Sequence, residues 1–172
     1  MEVWSLAWPT VLTMTSFTIM QFFDKLMVSQ VGPREVAAQG NAGTWAFAVI
    51  ATVMGVVTVV NTFVSQHLGA GSPKEGPKYA WSAGWMAAFF WVVIILPWAF
   101  FIPTVFQYIH PENSELVSLE SEYAIYTLVG SLFLLIGRGF TQYFFGMHRP
   151  KIITISTLIA NIVNVVANYI LI

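Results

Sequence analysis

The feature that most restricts the fold of this chain is a series of five apolar stretches, each long enough to cross a membrane. A membrane-spanning helix needs about 20 mostly apolar residues. Turns rich in Gly and Pro separate the stretches, as at Val31-Gly32-Pro33 and at Gly69 to Pro73. The pattern predicts an all-α polytopic membrane protein with five transmembrane helices and no soluble domain. The predicted helices cover about residues 5–30, 41–66, 79–106, 119–145 and 150–172.

The composition supports a membrane protein and excludes several functional classes. Hydrophobic residues make up 57% of the chain and charged residues 9%, whereas soluble domains contain about 25% charged residues. A formal net charge of −1 argues against nucleic acid as a partner. The absence of cysteine from the sequence excludes thiolate metal sites and cysteine nucleophiles. No acid–base pair or trio of metal ligands is recognisable in the apolar stretches, so we expect neither an enzyme nor a bound cofactor.

Basic residues are unevenly divided between the connecting loops and so predict the orientation in the membrane. Arg34 is the only basic residue in the first and third loops, and Glu112, Glu115, Glu120 and Glu122 make the third loop acidic. The positive-inside rule therefore predicts a cytoplasmic N-terminus, and we expect a multi-pass protein of the plasma (inner) membrane. The basic residues of the second and fourth loops are Lys74, Lys78, Arg149 and Lys151.

Asp24 is the residue of the first apolar stretch that most needs a functional explanation. An ionisable group within a membrane helix is costly, and it marks a functional site by default. Gln21 precedes Asp24 by three residues and therefore lies on the same helical face. Two interpretations remain open at this point. Asp24 either reaches water near a helix end or pairs with Lys25, or it faces a cavity and binds a proton, Na⁺ or a cationic substrate.

Three asparagines in the last apolar stretch form a second polar feature. Asn161, Asn164 and Asn168 are separated by three and four residues, so they share one helical face. The first and fifth helices run in the same direction, which places Asn164, Asn168 and Asp24 at a similar depth. A carboxylate with two amide oxygens suits a hard cation, and we predict a proton or Na⁺ site there, with Gln21 and Asn161 lining the cavity. The alternative is hydrogen bonding between helices without an ion.

Six short segments, in order and with consistent spacing, resemble the multidrug and toxic compound extrusion (MATE) family of the MOP superfamily. Individually these segments are short and apolar, but together they cover nearly the whole chain. The segments are Ala7-Trp8-Pro9, FFDKLMVSQVG (22–32), VAAQGNAG (36–43), FVSQHLGAG (63–71), RGFTQYFFGMHRPK (138–151) and NVVANYILI (164–172).

The resemblance implies a fold of two six-helix lobes, of which this chain would be helices 1 to 5 of the first. Family members export organic cations and other amphiphiles in exchange for Na⁺ or H⁺, which makes the bilayer, a small-molecule substrate and the remaining helices the expected partners. The family's first-helix carboxylate matches Asp24, and its fifth-helix polar pair matches Asn164 and Asn168. Some relatives carry Asp at the second of these positions. Since this sequence has Asn there, Asp24 is the sole intramembrane carboxylate, and the coupling ion is left open.

Two other functions remain possible from the sequence. A lipid or lipid-linked oligosaccharide flippase of the same superfamily would use basic groups in its cavity, for which Lys25 and Arg138 are the candidates. A small five-helix membrane scaffold is the other alternative. Because the sequence reaches Ile172 inside an apolar run, we expect it to be the front part of a longer polypeptide.

Overall fold

The computed structural model describes the backbone of residues 2–171 and the side chains of residues 7–170, and every regular element in these ranges is helical. Two short segments interrupt the α-helices: a 3₁₀ turn at Pro73–Glu75 and a π-helical segment at Trp91–Ile95. The α-helices are α1 (Glu2–Val31), α2 (Pro33–Gly69), α3 (Gly76–Phe90), α4 (Leu96–Ile109), α5 (Ser114–Gly146) and α6 (Pro150–Leu171).

The boundaries of two helices differ from those expected. Helix α2 begins at Pro33 rather than near residue 41, so Gly32 alone separates it from α1. Proline suits the first helical position because its missing N–H would have no partner there. Helix α5 begins at Ser114 rather than near residue 119, because the Asn113 side chain caps it by accepting a 3.1 Å hydrogen bond from the Leu116 N–H. The sequence had suggested that Glu120 belongs to an acidic loop. In the structure it belongs to helix α5.

The third predicted helix is one continuous rod made of α3, the π-helical segment and α4. The π-helical segment ends at Ile95, two residues before Pro97. Proline cannot donate a backbone hydrogen bond, and its ring crowds the preceding turn. The π-helical segment therefore lies just before Pro97, where the regular α-helical hydrogen bonding is interrupted.

Helices α2, α3, α4 and α5 form the packed unit that contains the buried hydrophobic core. Helices α2 and α5 are parallel, since Arg34 pairs with Glu115 near their first turns and the Ser65 hydroxyl contacts the Gly146 carbonyl near their last. The α3–α4 rod runs antiparallel to both of them. Gly146 lets α2 and α5 approach closely, because a Cβ at this position would lie 2.8 Å from the Asn61 carbonyl oxygen.

Helices α1 and α6 form a separate pair. They contact each other far more than they contact the α2–α5 unit, and none of their described side chains belongs to the buried core cluster. Single-turn connections, at Gly32 and at residues 147–149, join the pair to the rest of the chain. The described chain therefore consists of a packed four-helix unit and a loosely attached pair of helices.

Four helical segments of the described chain are long and apolar enough to cross a membrane. Helix α1 has sufficient length at 30 residues but is not among the four, because Ser, Thr, Gln, Asp and Lys side chains lower its hydropathy. The protein is therefore a multi-pass helical membrane protein, and a fifth span at α1 remains a prediction. The four segments are Pro33–Gly69, Pro73–Ile109, Ser114–Gly146 and Pro150–Ile170.

Candidate functional site

Polar side chains join α1 and α6 at three levels along their interface. At the first level, the Thr154 hydroxyl donates a 3.0 Å hydrogen bond to the Pro9 carbonyl. At the second, the Asn161 amide donates to the Ser16 hydroxyl at 2.5 Å. At the third, the Asn168 amide donates to Oδ1 of Asp24 at 2.7 Å. The pairing order shows that α1 and α6 are parallel.

The sequence spacing explains why these residues meet. Thr154, Asn161 and Asn168 are separated by seven residues, or nearly two helical turns, so they recur on one face of α6. Ser16 and Asp24 are eight residues apart on α1. Two parallel helices with matching repeats can bring every polar group of one against a partner on the other.

Asp24 is at the centre of the third level. The Asn168 side-chain nitrogen donates to Oδ1 of Asp24 and also, at 3.3 Å, to Oδ1 of Asn164. Asp24 is partly exposed between the two helices. A hydrogen bond to an ionised carboxylate is about twice as strong as a neutral one, so Asn168 preferentially stabilises the charged form. The three side chains therefore form one hydrogen-bonded group, in which the Asn168 amide nitrogen donates to Oδ1 of both Asp24 and Asn164.

The structure brings together three of the five residues predicted for the site. Asp24, Asn164 and Asn168 form the hydrogen-bonded group just described. Asn161 is bound to Ser16 instead, and the seven residues between it and Asn168 correspond to about 10 Å along the helix. Gln21 is exposed and lies outside this hydrogen-bonded group.

Lys25 does not neutralise Asp24. In the part of the chain that the structure describes, no basic group lies within the 4.0 Å range of an ion pair with this carboxylate, and Lys25 is exposed. The Lys25 pair that the first interpretation allowed is therefore absent from the described residues, and the two interpretations now differ in whether Asp24 reaches water near a helix end or faces a cavity.

Three residues that were not predicted from the sequence also contribute to the interface: Thr13, Ser16 and Thr154. The Thr13 hydroxyl lies 3.1 Å from the Thr154 hydroxyl and 2.9 Å from the Pro9 carbonyl, and it can donate its one proton to either. The seven-residue spacing of Thr154 with two asparagines was a visible signal. Thr13 and Ser16 gave none, since hydroxyl side chains in membrane helices commonly bond their own backbone.

The fold and the site define a multi-pass helical membrane protein in which two parallel helices hold the Asp24 carboxylate against Asn168. Comparison with known families gives a consistent result, because residues 9–170 match the family MatE. The chain therefore belongs to the MatE family.

Three proteins that are similar to the chain are each named probable multidrug resistance protein NorM. The chain is 26% identical to the protein of Neisseria meningitidis serogroup A over 173 residues, which cover 96% of the chain and 36% of the relative. It is 23% identical to the protein of Oceanobacillus iheyensis over 164 residues, covering 95% of the chain and 36% of the relative. It is 27% identical to the protein of a Synechococcus species over 156 residues, covering 87% of the chain and 32% of the relative.

The chain thus spans about a third of the length of these relatives. No solved structure matches it significantly.

Proposed function

We propose that this chain provides the first lobe, as far as its fifth helix, of a secondary antiporter that exports organic cations and other amphiphilic compounds in exchange for Na⁺ or H⁺. Membership of the MatE family and the multidrug resistance names of the NorM relatives support an efflux transporter. The observation that carries the antiport proposal is the Asp24 carboxylate held by Asn168 between two helices. The proposed location is the plasma membrane, with the N-terminus in the cytoplasm.

Asp24 is the group that couples the ion to the substrate in this proposal. When Asp24 is charged and empty, the Asn168 amide satisfies one of its oxygens. A proton, a Na⁺ ion or a cationic substrate neutralises the same carboxylate, so the three ligands compete. Competition for one carboxylate links ion uptake on one side to substrate release on the other.

The loose attachment of the α1–α6 pair provides the conformational part of the proposal. A ligand shifts a conformational equilibrium only by its difference in affinity for the two states. Neutralising Asp24 weakens its charge-assisted bond to Asn168 and so changes the preferred packing of α1 on α6. Because few contacts tie this pair to the α2–α5 unit, the pair can move without disturbing the buried core.

The decisive experiment measures ion-driven efflux of a cationic dye by the full-length protein. Asp24→Asn preserves the shape of the side chain and removes its charge, so it should reduce efflux to the empty-vector level. Asn164→Ala and Asn168→Ala each remove one neutral group and leave the charge, so they should reduce efflux less. Glu122→Gln is the matched control, since it removes one exposed carboxylate elsewhere and should leave efflux unchanged.

All rates are normalised to the amount of protein in the membrane. Wild-type efflux by Asp24→Asn would show that Asp24 is only a solvated residue near a helix end. Equal losses in Asp24→Asn and Glu122→Gln would show a general effect of charge rather than a specific site.

A further inference from the structure

Arg138 is a cation of a membrane-spanning segment that the proposed transport mechanism does not use. It belongs to α5, within the apolar segment Ser114–Gly146. Its Nε is buried and has no hydrogen-bond partner among the described residues. No carboxylate of these residues lies within 4.0 Å of its guanidinium. Because a guanidinium keeps its charge and is costly inside a membrane, Arg138 needs an anionic partner.

The position of Arg138 along α5 separates it from the nearer membrane edge. Gly146, the last residue of α5, follows Arg138 by eight residues, which corresponds to about 12 Å along the helix. Side chains of an α-helix lean toward its N-terminus, so that of Arg138 leans away from this end. Extension of the side chain to the headgroups beyond Gly146 would run against this direction. The anionic partner therefore approaches Arg138 from the side of the helix.

Two ring contacts show which side of the α2–α5 pair α3 covers. Phe63 of α2 and Phe140 of α5 each pack against an aromatic ring of α3, at centroid distances of 5.4 and 5.8 Å. Asn61 precedes Phe63 by two residues, and Arg138 precedes Phe140 by two residues. Two residues correspond to a rotation of about 200° around a helix. Asn61 and Arg138 therefore both lie on the side of the α2–α5 pair that faces away from α3.

A second polar group without a partner lies next to Arg138. Gln142 follows Arg138 by four residues and so lies one turn away on the same face of α5. Its side chain is buried, since the residue is 4% exposed, and its amide makes no hydrogen bond within the described chain. A buried amide without a partner costs free energy unless another group binds it. Further along this side, Oδ1 of Asn61 lies 3.2 Å from the Ser65 hydroxyl, which leaves the Asn61 amide nitrogen free to donate.

We propose that Arg138 and Gln142 form a binding site for the oxyanion group, a phosphate or a carboxylate, of a small amphiphilic molecule. The planar guanidinium can donate two parallel N–H bonds to such a group, and bonds of this kind between charged partners are strong. The Gln142 amide supplies a further donor. The site lies on α5 and takes a charge opposite to that bound by Asp24, so it does not rest on the antiport proposal. A lipid headgroup and a soluble molecule can both carry the oxyanion.

The test is isothermal calorimetry of the full-length protein in phosphatidylcholine nanodiscs, titrated with phenyl phosphate and corrected with empty nanodiscs. Arg138→Gln removes the charge and should weaken binding by about tenfold or more. Arg138→Lys keeps the charge but loses the paired N–H donors, so its loss should be smaller. Gln142→Leu should also weaken binding less than Arg138→Gln. Arg149→Gln is the matched control, because it applies the same change to an exposed arginine just after α5 and should leave binding unchanged.

Nanodiscs that also contain phosphatidylglycerol distinguish the two sources of the oxyanion. Weaker binding of phenyl phosphate by the wild type in these nanodiscs identifies a lipid headgroup as the competing ligand, and unchanged binding identifies a soluble molecule; both results support the oxyanion site. Arg138→Lys keeps the proposal testable if size-exclusion chromatography shows that Arg138→Gln does not fold. The proposal is wrong if the wild type binds no phenyl phosphate in either nanodisc. It is also wrong if the folded Arg138 variants bind as tightly as Arg149→Gln.

Discussion

The close approach of α2 and α5 at Gly146 yields a quantitative prediction about packing. In Gly146→Ala, the new methyl group would lie 2.8 Å from both the Asn61 carbonyl oxygen and the Val64 Cβ. Ordinary van der Waals contacts of a Cβ begin near 3.4 Å, so one helix must move by several tenths of an ångström. The contacts are with backbone and with a β-branched side chain, and neither can rotate away.

Forcing an extra methyl group into a packed interface costs about 1–3 kcal/mol. Replacing Gly by Ala in the middle of a helix stabilises it by about 0.5–1 kcal/mol, but Gly146 is the last residue of α5, so this gain is smaller here. We therefore expect Gly146→Ala to lower the free energy of unfolding by about 1–2 kcal/mol. Gly137→Ala is the matched control, because it lies in the same helix and its added Cβ would meet no atom within 4 Å. The control should be neutral or slightly stabilised.

The assay is thermal unfolding of both variants in detergent. Size-exclusion chromatography of a fluorescent fusion measures how much folded protein remains after heating. Gly146→Ala should unfold at a lower temperature than the wild type, and Gly137→Ala should not. Equal unfolding temperatures for the two variants would refute the parallel α2–α5 packing derived from the contacts at Gly146.

Two further predictions concern the loops. The charge asymmetry predicts that a cysteine introduced at the exposed Glu112 is labelled by an impermeant thiol reagent in intact cells, whereas one at the exposed Lys74 is labelled only after the membrane is opened; the reverse pattern would overturn the orientation. At the 3₁₀ turn, a hydrogen bond from Lys78 and the positive charge of Lys78 hold the pKa of Glu75 below its ordinary value. The ion pair between Glu75 and Lys78 therefore makes a small contribution to stability. This contribution is present above the unfolded-state pKa of Glu75 and is lost as the pH falls through the lower, folded-state pKa. Lys78→Met should raise the pKa of Glu75 in an NMR titration, and an unchanged value would contradict the ion pair.

The sequence determined the helical class and the existence of most helices, because hydropathy and helical periodicity are local properties. The membrane-spanning length of the apolar stretches, and the turn residues between them, located five long helices without tertiary information. The sequence also predicted that Asp24, Asn164 and Asn168 lie at a similar depth, since the rise per residue and the direction of each helix suffice for that estimate.

Helix ends were less certain from the sequence. Helix α2 begins eight residues earlier than predicted because Pro33 can start a helix immediately after Gly32, and a proline can equally mark a loop. Helix α1 covers Glu2–Val31, but its hydropathy does not by itself show that it crosses a membrane.

Only the tertiary structure decided which faces meet. Asn161 has the right spacing to join Asn164 and Asn168, yet the register of α6 on α1 places it against Ser16. Glu120 belongs to an acidic stretch of sequence, yet the packing of α2 on α5 buries it beside Asn41. Periodicity fixes the face of one helix, whereas partner and register depend on side-chain packing between segments distant in the sequence.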